Sequence, residues 1–126
     1  MILGLGIDLV EIERIANALV KYPDNFVNYI LTKQEQNYCR QFKDPAPEIA
    51  ARFAAKEALS KALGTGITNG IRWHDIEVIK DPEKPPRISL KGQAGEKALE
   101  MGINNIRLSL THTKHYAAAV VTAEKV

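Results

Sequence analysis

The sequence predicts an α+β fold in which one long central helix packs with a mainly antiparallel sheet. Three stretches predict it. From about Glu48 to Leu63 the chain is rich in Ala, Leu, Lys and Glu, the strongest helix formers. Ile106, Leu108 and Leu110 alternate with Arg107, Ser109 and Thr111, the period of a half-buried strand. Tyr116 to Val121 is apolar enough to lie in the middle of a sheet, and Thr113-Lys114-His115 is then a tight hairpin connection. Helices fill the first half and strands the second, and 126 residues without repeats or a linker read as one domain.

The other elements follow in order. Leu3, Leu5, Ile7 and Leu9 alternate with Gly4, Gly6 and Asp8, a strand with one apolar face. Its glycine-bearing face leaves room for something to approach. Glu11 opens a helix with Ile12, Ile15, Ala16 and Leu19 at helical spacing, ended by Tyr22-Pro23-Asp24. Asp8-x-x-Glu11 has the form of a capping box, an alternative to any role of Asp8 as a metal ligand. A short helical or turn segment spans Phe26 to Leu31. Thr32-x-x-Glu35 is a second capping box, opening a helix with Tyr38, Cys39 and Phe42. Beyond the central helix, Thr68-Asn69-Gly70 is turn chemistry. Ile71-x-Trp73 and Ile76-x-Val78 read as a strand around Asp75 to Lys80, with Trp73 a core or interface anchor and His74 an exposed bystander. Asp81 to Pro86 is a rigid loop, Arg87 to Leu90 a strand, and Gln93 to Met101 a helix stopped by Gly102.

The central helix carries the chemistry. Ala51, Ala55, Leu59 and Ala62-Leu63 form an apolar stripe, while Arg52, Lys56, Glu57 and Lys61 gather on another side. Glu57 and Lys61 are four apart, within reach of each other, and an exposed ion pair is the plain reading. The Gly64-Thr65-Gly66 turn follows at once, where the helix should stop and glycine accepts the left-handed cap conformation. With Lys61 beside it, that turn offers backbone N–H groups, a hydroxyl and a cation, as a phosphate needs. Walker spacing is absent.

Composition excludes several classes. A formal charge of +2 without a Lys/Arg run argues against nucleic acid and fits an anionic partner. No apolar run reaches the roughly 20 residues of a membrane span. The first residues carry an acid at Asp8 and no basic stretch, unlike a signal peptide. Cys39 is the single cysteine, expected buried and inert. These features place the protein in the cytoplasm.

Three stretches together resemble a known family. Gly4-x-Gly6-x-Asp8-x-Val10-Glu11-Ile12-x-Arg14-Ile15 and Arg52-Phe53-Ala54-Ala55-Lys56-Glu57-Ala58-x-Ser60-Lys61-Ala62-Leu63-Gly64-Thr65-Gly66 resemble the two signature motifs of holo-acyl-carrier-protein synthases. Ser109-x-Thr111-His112-Thr113-x-x-Tyr116-Ala117 resembles the third. The resemblance implies the 4′-phosphopantetheinyl transferase fold, Mg²⁺, a homotrimer and active sites between subunits. It implies transfer of the phosphopantetheine arm of coenzyme A to a serine of apo acyl carrier protein, in support of fatty acid biosynthesis. A module that binds coenzyme A or carrier protein without transfer is the alternative, disfavoured because Asp8, Glu57 and Lys61 are all present.

By the same resemblance Asp8 and Glu57 match metal ligands; a carboxylate is also a general base, so the role of Glu57 is instead, or also, to help remove the serine proton, directly or through a water. Lys61 matches a cation at the reacting phosphate. Arg52, Gly64, Thr65, Gly66, Pro86, His112 and Thr113 match the coenzyme A site, with Arg52 as a phosphate fork and His112 at the 3′-phosphate end. The plain alternative for His112 is a satisfied strand-end histidine. Arg14 matches a residue that meets the acidic carrier protein, and Lys21 lies two turns further along. Two stretches depart from the pattern: Pro23-Asp24-Asn25, where relatives often add basic charge, and Lys84-Pro85-Pro86, where many have Gly-Lys-Pro.

Overall fold

A computed structural model describes residues 1–67 and 70–126. Thr68 and Asn69 of the expected turn lie outside the described residues. The elements run β1 (Ile2–Glu11), α1 (Ile12–Lys21), α2 (Asn25–Ile30), α3 (Lys33–Cys39), α4 (Ala46–Ala62), β2 (Ile76–Ile79), β3 (Arg87–Leu90), α5 (Gly92–Met101), β4 (Asn105–His112) and β5 (Tyr116–Glu124). The strands make two antiparallel sheets rather than one. The first has the order β1-β5-β4 and the second is the β2-β3 pair. As expected, β5 is central in its sheet.

The helix α4 begins two residues before the expected Glu48, with Pro45 at its N-cap and Pro47 in its first turn, where a proline N–H is not missed. It packs against β1 and β5 on one side and against α1 and β2 elsewhere. Its alanines are buried on nearly every side. Correcting the expected polar side, Arg52 and Lys56 are buried too, at 2% and 0% exposure.

The approach anticipated over the glycines of β1 is that of α4 itself. A Cβ on Gly6 would stand 1.8 Å from the carbonyl oxygen of Ala58, and one on Gly4 2.1 Å from that of Ala62. Both obstacles are backbone and cannot swing aside. Gly6→Ala should therefore exceed the about 1–3 kcal/mol of ordinary overpacking. Its soluble yield and thermal melt should collapse, and a normal melt would show that α4 can lift from β1.

The same alternation turns Leu5, Ile7 and Leu9 outward, where they are 64%, 66% and 65% exposed. Ile7 pairs with Val120 of β5, which is also exposed, so the open face of the sheet is apolar.

Other expectations shift locally. Glu11 is the N-cap of α1 but makes no side-chain cap, and Asp8 lies within β1, so the first capping box does not form. The second does: Glu35 N–H donates to Thr32 Oγ1 at 3.3 Å and Thr32 N–H to Glu35 Oε1 at 2.8 Å. Phe42 lies past the end of α3. The strand expected around Asp75 to Lys80 is β2, Ile76–Ile79, and Trp73–Asp75 just ahead of it is a 3₁₀ turn. Trp73 stacks on Phe53, with ring centroids 5.0 Å apart. His74 is no bystander, since its Nε2 lies 2.7 Å from the carbonyl oxygen of Asn28. Cys39 is buried as expected, and burial pushes its thiol up to about 11.

Candidate active site

Asp8, Glu57 and Lys61 meet where β1 crosses α4. Period two places Asp8 on the face that carries Gly4 and Gly6, so the close helix–strand contact brings its carboxylate to α4. Lys61 Nζ donates to Asp8 Oδ1 at 3.1 Å and to the Ile7 carbonyl at 3.0 Å. The expected Glu57–Lys61 contact is thus replaced by a Lys61–Asp8 pair across elements. Lys61 is half exposed, so the pair adds little stability. Glu57 is half-buried one turn before Lys61. Partial burial raises its carboxyl above the ordinary range, the Asp8 carboxylate raises it further, and Lys61 opposes both. Two carboxylates that repel each other beside an accessible ammonium suit a hard cation and a phosphate.

The Gly64-Thr65-Gly66 turn meets one expectation, the left-handed helix stop, and not the other. Gly64 N–H donates to Lys61 O, and the N–H groups of Thr65 and Gly66 both donate to Ser60 O. Gly64 and Gly66 have φ of +79° and +69°, the left-handed backbone that lets the chain fold back on the helix end. These N–H groups close α4 and do not form a phosphate nest.

A second cluster lies at the other edge of the sheet. Arg52, Glu48, Tyr38, Lys80, Pro86 and His112 are among the residues lining a cavity of about 220 Å³. Arg52 Nη1 donates to Glu48 Oε2 at 3.1 Å, and its guanidinium lies 4.4 Å from the centre of the Tyr38 ring. Arg52 Nε is buried without a partner. His112 Nε2 is 3.6 Å from Glu48 Oε1. His112 is therefore neither isolated nor buried away. Thr113 sits in the hairpin, where its N–H donates to Tyr116 O at 2.8 Å and its Oγ1 accepts from Tyr116 N–H at 3.2 Å. Arg14 and Lys21 are exposed, seven residues apart on one side of α1.

A single chain brings Asp8, Glu57 and Lys61 together, and separately Arg52, Pro86 and His112. With β5 between β1 and β4, the two edges are about 10 Å apart. Sequence reasoning missed Glu48 and Lys80. Glu48 was legible as the i,i+4 partner of Arg52, whereas Lys80 reaches the cavity only through the fold.

The family model for the 4′-phosphopantetheinyl transferase superfamily matches residues 4–121. The chain belongs to this superfamily. It is 46% identical over 125 residues to the holo-[acyl-carrier-protein] synthase of Maridesulfovibrio salexigens, covering 99% of this chain and 100% of that one. The crystal structure of the Neisseria meningitidis synthase aligns with a TM-score of 0.90 at 34% identity, covering 99% and 100% of the two chains. The Bacillus anthracis synthase, solved in complex with CoA (3′,5′-ADP), aligns with a TM-score of 0.83 at 37% identity, covering 100% and 99%. As a transferase of this superfamily, the chain presents both its carboxylate pair and its arginine cavity on residues of the matched span. No helix among the described residues is long and apolar enough to cross a membrane.

Proposed function

We infer that this protein is a holo-acyl-carrier-protein synthase. It transfers the 4′-phosphopantetheine arm of coenzyme A to a serine of apo acyl carrier protein, releasing adenosine 3′,5′-bisphosphate, in the cytoplasm and in support of fatty acid biosynthesis. The observation that carries this reading is the convergence of Asp8, Glu57 and Lys61 from two elements on one accessible spot. Transfer forms a bond from the serine Oγ to phosphorus and breaks the pyrophosphate bond to the nucleotide.

Each residue has a physical task. Glu57 takes the serine proton, directly or through one water, and its raised affinity for a proton makes it a better base than an ordinary carboxylate. Lys61 is a cation at the reacting phosphate, positioned by Ile7 O and Asp8. Arg52, Pro86, His112 and Thr113 hold the nucleotide end, with Gly64, Thr65 and Gly66 along the way. Asp8 and Glu57 are hard oxygen donors, the set Mg²⁺ takes alongside water and substrate phosphate. Among the described residues no third acidic, His or Cys ligand joins them, which leaves room for that phosphate. When bound, Mg²⁺ offsets charge developing on the pyrophosphate oxygens. Arg14 and Lys21 meet the acidic carrier protein and steer its encounter.

We read the chain as a single transferase domain built around α4 and assembling as a homotrimer. The exposed face of Leu5, Ile7, Leu9 and Val120 supports a cover by further copies. The placement of the two clusters on opposite edges supports a site completed between subunits, one edge from each, in a ring. Ile7→Lys should then give a monomer in size-exclusion chromatography with light scattering, with transfer lost alongside. A trimer of unchanged mass would reject this face as the interface.

The activity itself is tested by intact mass spectrometry of apo acyl carrier protein with this protein and coenzyme A. One sample contains Mg²⁺ and the other a chelator. A gain of one phosphopantetheine arm only with the metal is expected. No gain, where a known transferase succeeds on the same carrier, would leave a module that binds without transfer.

A further inference from the structure

The cavity around Arg52 contains one group whose charge is of the wrong sign for it. Among the described residues, Glu48, half-buried in the first turn of α4, is the only acid lining a space otherwise furnished with Arg52, Lys80 and His112. An anionic nucleotide end would be repelled by it. Its geometry points the other way. Oε2 accepts from Arg52 Nη1 at 3.1 Å while Oε1 stands 3.6 Å from His112 Nε2, so one carboxylate touches both α4 and the end of β4. The Glu48 carbonyl accepts from the same Nη1 at 3.2 Å. Tyr38 of α3 covers the guanidinium face at 4.4 Å. Arg52 is thus held by its edge and by one face, with Nε buried and unsatisfied.

A guanidinium has five donors in a fixed fork, and its recognition of phosphate depends on the direction of that fork. We propose that Glu48 is a positioning residue, holding the Arg52 fork and the His112 ring in the orientation that receives the 3′-phosphate end of coenzyme A. This rests on the reading of Arg52 and His112 as coenzyme A contacts. Glu48 does not touch the reacting atoms. Its removal weakens nucleotide binding and leaves the chemical step alone. Glutamine at this position keeps an acceptor for Nη1 and removes the repulsive charge.

The test is steady-state transfer with coenzyme A and with 3′-dephospho-coenzyme A, comparing the native chain with Glu48→Ala, Glu48→Gln and Arg52→Ala. Circular dichroism melts check that each variant is folded. Glu48→Ala should raise KM for coenzyme A about tenfold, equivalent to about 1.4 kcal/mol. Its kcat should stay within about twofold, and so should KM for the dephospho substrate. Glu48→Gln should restore KM for coenzyme A to within about twofold of the native value. The proposal is overturned if Arg52→Ala raises KM for coenzyme A and Glu48→Ala does not. It is equally overturned if Glu48→Ala affects both substrates alike, or if Glu48→Gln is as weak as Glu48→Ala. An Arg52→Ala variant with native KM would instead remove the reading of Arg52 on which the proposal stands.

Discussion

Glu57→Gln should lose about 10²–10⁴-fold of the transfer rate, the share a positioned general base supplies. The substitution keeps size and one acceptor oxygen, turns the other oxygen into an NH₂ donor and removes one charge. Both tasks given to Glu57, accepting the serine proton and holding Mg²⁺ with Asp8, need that charge. The fold does not need it. Burial and the neighbouring Asp8 carboxylate raise the proton affinity of Glu57, so the ionised form is the one the folded chain disfavours. In metal-free buffer the variant should therefore melt no lower than the native chain, and somewhat higher near neutral pH. Intact mass spectrometry of the carrier reads the first effect and a thermal melt reads the second. Undiminished turnover would sink the assignment of Glu57. Lost turnover with a markedly lower melting temperature would assign Glu57 a structural role instead.

Much of this site was legible because it follows local periods. Alternation alone put Gly4, Gly6 and Asp8 on one face of β1, and helix spacing put Glu57 one turn before Lys61. The open question was what would lie over the glycines, and a strand pattern cannot name its neighbour. The answer, α4, decides that Lys61 turns to Asp8 and not to Glu57. The Gly64-Thr65-Gly66 turn was legible as a helix stop, but its second reading failed for a related reason. Glycines beside a lysine fit both a phosphate nest and a helix end. Here the carbonyls of Ser60 and Lys61 claim the N–H groups first. Nor can pattern tell which apolar face is covered. Leu5, Ile7 and Leu9 have the alternation of a core strand and are exposed in the single chain.

Lys56 is the clearest case of tertiary structure overriding pattern, and it carries a large expected effect on stability. A lysine beside Glu57 on a helix reads as solvated, yet Lys56 and Glu35 are 0% and 1% exposed. Lys56 Nζ donates to Glu35 Oε1 at 2.7 Å, to Ile30 O at 2.7 Å and to Trp73 O at 3.1 Å. Glu35 Oε2 accepts from Val78 N–H at 2.8 Å, and Oε1 accepts from Thr32 N–H. One ion pair thereby joins the end of α2, the start of α3, α4, the 3₁₀ turn and β2. Burial pulls the Lys56 ammonium below its ordinary range, and Glu35 opposes that pull. Removing one partner leaves the other charge uncompensated and strands two or more backbone groups. Lys56→Met should therefore cost about 3–5 kcal/mol in urea unfolding. Glu35→Gln should cost less, since its carbonyl oxygen still accepts from a backbone N–H. The double variant carries neither buried charge, so its loss should fall short of the sum of the two single losses by about 0.5–3 kcal/mol. Strict additivity, or a Lys56→Met loss below about 1 kcal/mol, would mean that the two charges are solvated and that the five elements are held together by their apolar contacts alone.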